Sequence, residues 1–181
     1  MKKKILFLSI ITLCIITIVF LSFKINRYQK IVNENILTHM NNINSGITYS
    51  IDSLDELLTS KDNQKDNLFD LINNYNDFMQ GYKQLTYISN TINKTNYEIN
   101  IVFQNYSETL KDIELNYCYQ NSNDRITIDK VNLEKLSNFL SLLKNTEQSI
   151  HDNLLLRNTE KHYFNKYNEI MFKLSNIKDI D

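Results

Sequence analysis

Side chains able to do chemistry are few in this sequence, and their spacing argues against a catalytic constellation. His39, His151 and His162 are the only histidines. The last two stand eleven residues apart, so on one helix they would share a face about 16 Å apart, too far to ligate one metal. Glu147 and His151, at i and i+4, could seat half a site, although such pairs are more often solvated helix contacts. A di-iron helical site needs Glu-x-x-His on two helices, and no glutamate of this chain opens that motif. Cys118 is flanked by Tyr117 and Tyr119 and has no sequence neighbour that would activate a thiolate. Two isolated glycines, Gly46 and Gly81, exclude a Gly-rich phosphate loop. Asn93-Lys94-Thr95 and Asn105-Tyr106-Ser107 fit glycosylation acceptors, but 27 Asn residues supply such matches by chance. The expectation is a protein that is not an enzyme, with no catalytic residue, no metal and no cofactor.

Recognition is the remaining chemistry. Tyr49, Tyr87, Tyr119 and Tyr163 fall off or beside the apolar stripes of the chain, and exposed tyrosines are favoured contact residues because they bury much area at low entropy cost. They are the candidate partner contacts. The chain lacks Ala, Pro and Trp and is rich in Asn, Lys, Ile and Tyr, a usage that an AT-rich genome writes. Codon bias alone would also scatter tyrosines over a surface. Beyond Lys2, Lys3 and Lys4 the chain carries 17 basic and 21 acidic residues, a formal charge of −4, which excludes a nucleic-acid partner of the usual basic kind. The one basic cluster is Lys24, Arg27 and Lys30, a membrane collar facing lipid headgroups.

These groups must be positioned by helices, and the first is the most legible. Ile5 to Phe23 is a run of nineteen residues without a charge, Gly, Pro, Asn or Gln, which gives about 28 Å of helix against a hydrocarbon core of about 30 Å. It reads as a transmembrane signal-anchor. No small-x-small cleavage pair follows it, and Leu13 before Cys14 does not fit a lipoprotein. The collar and the three N-terminal lysines tie in charge, but a long C-terminal domain translocates largely regardless of its own charge. Residues 1–4 are therefore expected inside a cell membrane crossed once by residues 5–23, with residues 24–181 outside.

Beyond the span, apolar residues recur at helical spacing. Ile25, Tyr28, Val32, Ile36, Met40, Ile43, Ile47, Ile51, Leu54 and Leu58 form one stripe, so a single helix runs on from the span to about Leu58, with Gly46 as its weak point. The polar stretch Thr59–Asn67 makes a turn, with Ser60 or Asp62 as cap. Stripes follow through Leu68, Leu71, Tyr75, Phe78, Tyr82, Leu85 and Ile92, then through Ile99, Val102, Tyr106, Leu110, Ile113 and Tyr117. Joined as one rod, these two would outrun the first helix and enter lipid, so a turn is placed at Asn93–Asn96, bringing Asn76 and Lys111 close. Tyr97, Ile99, Ile101 and Phe103 also alternate as a strand would, but no partner strand is evident.

A loop at Gln120–Asp124 precedes a helix capped by Thr127 or Asp129. Its stripe is Leu133, Leu136, Leu140, Leu143, Ile150 and Leu154, continuing to Phe164, Tyr167, Ile170, Met171 and Leu174. Glu147, Arg157 and Lys161 fall on the same seam, which implies a polar layer or a break near Arg157–Thr159. The fold class expected is all-α: one transmembrane helix continuing into an elongated, coiled-coil-like antiparallel bundle of four to five helices. The function expected is a membrane-anchored, extracytoplasmic interaction or assembly module that binds a protein partner or itself. The alternative is a helical sensor or ligand-binding domain, similar in architecture alone to those that some bacterial receptors display.

Overall fold

The computed structural model describes residues 2–59, 64–117, 128–154 and 160–178. Five helices account for most of them: α1 (Lys2–Thr59), α2 (Gln64–Asn93), α3 (Ile101–Tyr117), α4 (Lys130–Leu154) and α5 (Glu160–Ser175). No strand occurs among the described residues. The chain divides into two compact units, Met1–Asn35 and Ile36–Asp181.

In the first unit, α1 is long and apolar enough to cross a membrane by length and composition. Its described side chains from Phe7 to Phe23 are all exposed, as no protein element in the unit covers them. The stripe expected to pack from Ile25 onward does not start there. Ile25 and Tyr28 are 55% and 66% exposed, and burial begins at Ile36.

In the second unit the core runs through Ile36, Met40, Ile43, Ile47, Ile51 and Leu54 of α1, with Leu57 buried where the stripe predicts Leu58. Here α1 and α2 run antiparallel and very close. A Cβ built on Gly46 would meet the backbone of Phe78 at 2.5 Å, and one built on Gly81 would meet the carbonyl of His39 at 2.8 Å. Further along the same pair, Asn74 Nδ2 donates to Ser53 Oγ at 3.2 Å. Gly46, expected to weaken the helix, is what lets the two backbones meet.

Aromatic rings fill the space that small residues leave elsewhere in the core. Tyr75, Phe78, Tyr82 and Phe103 form a chain of ring contacts, with edge-on geometry at 5.1 Å between Phe78 and Phe103. Phe139 of α4 meets Tyr75 edge-on at 4.9 Å and stacks on Tyr106 of α3 at 4.3 Å. Such pairs contribute roughly 0.5–1.5 kcal/mol each beyond the area they bury.

The turn expected at Asn93–Asn96 is present. Lys94 ends α2 in the left-handed region, at φ 53°, which frees the chain from the helix as a C-terminal cap residue does. Asn90 then holds the departing segment: its Nδ2 donates to the Tyr97 carbonyl at 2.8 Å, and its Oδ1 accepts from the Tyr97 amide at 2.9 Å. Tyr97 and Ile99 lie in this connection, and the helix starts only at Ile101. Asn76 and Lys111 line the same groove between α2 and α3, as a hairpin requires.

Asp129 caps α4, its Oδ1 accepting from the Asn132 amide at 2.9 Å. The loop expected at Gln120–Asp124, the caps Ser60, Asp62 and Thr127, and the break near Arg157–Thr159 lie outside the described residues. That α4 and α5 fold back on one another is nonetheless clear. Lys173 Nζ donates to the Ser149 carbonyl at 2.7 Å, whereas 24 residues of continuous helix would separate them by about 36 Å. On the seam where the sequence favours a break over a polar layer, Glu147 is held across the unit by Thr48 Oγ1, which donates to its Oε1 at 2.7 Å.

Candidate functional site

Two of the four candidate tyrosines have described side chains. Tyr49 on α1 is 57% exposed and Tyr87 on α2 is 68% exposed, whereas Tyr75, Tyr82 and Tyr167 are buried. The structure does not bring the exposed pair together. The backbone carbonyl of Tyr49 accepts from Asn74, and Tyr87 lies thirteen residues further along α2, about 20 Å away. Tyr163 belongs to α5 with its side chain outside the described residues, and Tyr119 lies outside them altogether.

The histidines do not converge. His39 is half-buried, with Nδ1 enclosed and unpartnered, and burial lowers its pKa from the ordinary 6.5. His151 is exposed, and Glu147 bonds across to Thr48. Among the described residues no group of three or more His, Cys, Asp or Glu could hold a metal. Cys14 is free and exposed, whereas Cys118 lies outside the described residues.

A feature missed from sequence is a groove of about 450 Å³ between α2 and α3. Its lining includes Ile72, Tyr75, Met79 and Leu110, with Lys83 and Lys111 among its polar members. The signal was there in part, since Asn76, Gln80 and Lys83 flank the α2 stripe at helical spacing. Which flank of α3 would face them is not a local property.

Buried hydroxyls of α2 tie it to the start of α3 and to the segment before it. Tyr75 Oη donates to the Phe103 carbonyl at 2.7 Å. Tyr82 Oη donates to the Glu98 carbonyl at 3.3 Å and accepts from the Asn100 amide at 3.2 Å. Burial pushes the Tyr75 pKa well above its usual value and that of Tyr82 up to about 12. For a phenol this means that the folded state keeps its proton where the unfolded chain loses it. The stability these groups provide is therefore complete well below pH 10 and declines as pH rises toward 12, for Tyr82 by at most about 1.4 kcal/mol per pH unit. Denaturant melts of the full chain in detergent should show this decline, and Tyr82→Phe should make it shallower. A flat profile between pH 10 and 12 would contradict the buried assignment.

No protein-family model, curated protein or solved structure matches the chain.

Proposed function

We propose that the chain is a single-pass, membrane-anchored helical protein whose extracytoplasmic part, an antiparallel bundle, works by binding another protein or a second copy of itself. The observation that carries this reading is the separation of the tyrosines into two populations. Tyr75, Tyr82 and Tyr167 fill the core, while Tyr49 and Tyr87 are exposed well beyond what packing requires. A distance of about 20 Å between the latter two suits the breadth of a standard interface, which buries about 800 Å² on each partner. The apolar run at the start of α1 supports anchoring, because nineteen residues buried in lipid hold a chain far more firmly than a single acyl group.

A direct test replaces Tyr49, Tyr87, Tyr119 and Tyr163 with Ser and crosslinks the protein in its native membrane. Helicity and melting should stay near those of the parent, while the crosslinked partner is lost, since a few aromatic anchors commonly dominate binding. Retention of every crosslink by the quadruple variant would overturn the reading.

The α2–α3 groove favours a second reading, a sensor or ligand-binding domain, because about 450 Å³ lies within the range of small-molecule sites. Under that reading the parent protein crosslinks to nothing, and a small molecule raises its melting temperature unless Lys83 or Lys111 is replaced.

A further inference from the structure

The segment of α1 that follows the apolar run carries apolar side chains that its own unit leaves bare. Ile25 and Tyr28 lie on the stripe that becomes core from Ile36 onward, yet both are more than half exposed. Interleaved with them are Lys24, Arg27 and Lys30. Among the described residues no acidic group lies within ion-pair distance of Lys24 or Arg27. Lys30 reaches Glu34 only at 3.9 Å, with both side chains more than 60% exposed, a pair worth little. The segment is thus amphipathic, cationic and uncovered.

Its dimensions fit one environment. The headgroup layer on each side of a bilayer is about 5–8 Å thick, the rise of roughly three to five helical residues, which from the end of the apolar run extends at its fullest from Lys24 to Tyr28. Side chains on a helix lean toward its N-terminus, which here is back toward the membrane. The structure shows this directly, for Lys24 Nζ lies 5.2 Å from the ring centre of Phe20, a full turn earlier. The same lean lowers the charges of Arg27 and Lys30 toward the layer where lipid phosphates stand.

From this we infer that Lys24, Ile25, Arg27, Tyr28 and Lys30 form a lipid-binding belt that engages anionic phospholipid headgroups. The inference rests on Ile5–Phe23 being a membrane span and adds to it a preference for headgroup charge and a defined depth. Three cations against one carboxylate, Glu34, leave a local surplus that attracts anionic lipid. Tyr28 supplies the amphipathic ring favoured at that level.

The chain contains no Trp, so Tyr28→Trp in the full-length protein gives a single reporter. The variant would be reconstituted in vesicles of phosphatidylcholine alone or mixed equally with phosphatidylglycerol, each with lipid brominated near the headgroup end of its acyl chains. Emission from position 28 should be blue-shifted and quenched, with quenching about twofold stronger in the anionic vesicles. Adding Lys24→Gln, Arg27→Gln and Lys30→Gln should remove that difference. Equal quenching in both vesicles would overturn the headgroup preference. Emission that is blue-shifted but unquenched would mean that protein, such as a second copy, covers the belt, and red-shifted emission would leave it in water; either overturns the inference. Alkaline carbonate washing separates the two levels. Release of the protein sinks the span itself, whereas retention with position 28 unquenched sinks only the belt.

Discussion

Substituting Ala for Gly46 should lower the stability of the helical unit, although helix propensity alone points the other way. In an exposed helix the change would gain about 1 kcal/mol. Here the new Cβ would stand 2.5 Å from the Phe78 amide nitrogen and 2.8 Å from its Cα and Cβ, and backbone atoms do not swing aside as a side-chain tip does. Relief requires α1 and α2 to separate, which costs roughly 1–3 kcal/mol when a well-packed region is overfilled. The expected net effect of Gly46→Ala is a loss of up to about 2 kcal/mol, or several degrees in melting temperature. Gly46→Leu should cost about 3 kcal/mol or more and broaden the transition, because it parts the aromatic layer at Phe78 as well. Near-ultraviolet circular dichroism of the full chain in detergent would follow this, since the core tyrosines report on packing while α1 stays helical. A higher melting temperature for Gly46→Ala would show that the helices do not approach as closely as described.

Replacing Asn100 should have an effect of similar size for a different reason. This buried side chain joins three pieces of backbone: Oδ1 accepts from the Val102 amide at 3.0 Å and caps α3, while Nδ2 donates to the carbonyls of Leu174 at 3.0 Å and Ile177 at 2.7 Å. Its own amide meets Tyr82 Oη. Asn100→Ala removes the cap, worth about 1 kcal/mol, and takes a shared donor from two carbonyls at the end of α5, about 1–3 kcal/mol more for groups left buried. A loss of about 2–4 kcal/mol follows. Asn100→Asp keeps the cap acceptor but turns an oxygen toward those carbonyls, so it should be at least as damaging. Asn100→Ser keeps the cap and loses only the tie to α5. The distinguishing measurement is limited trypsin digestion, which should speed at Lys173 and Lys178 in all three variants. Unchanged cleavage there, with stability within 1 kcal/mol of the parent, would remove Asn100 from this role.

These two residues mark where reading the chain in one dimension stops. Helical periodicity is local, so the all-α class, the end of α1 near Leu58, the turn after Asn93, the Asp129 cap and most of the core stripes were legible from side-chain spacing. The apolar run at Ile5–Phe23 was equally legible, since length and the lack of charge are properties of a single segment. Coverage was not. Ile25 and Tyr28 carry the same stripe as Ile36 and Met40, yet only the latter are buried, because burial depends on what stands opposite. Phe103, Met79 and Phe139 joined the core from positions beside the stripes, where a large ring or a flexible thioether reaches a neighbouring layer. The sign of the Gly46 effect reversed because its cost is local and its benefit lies in a contact with Phe78, 32 residues away. Asn100 was invisible among 27 asparagines. Nothing in its neighbours announces the carbonyls of Leu174 and Ile177, and only the packing of α5 against the start of α3 brings them within reach of its amide.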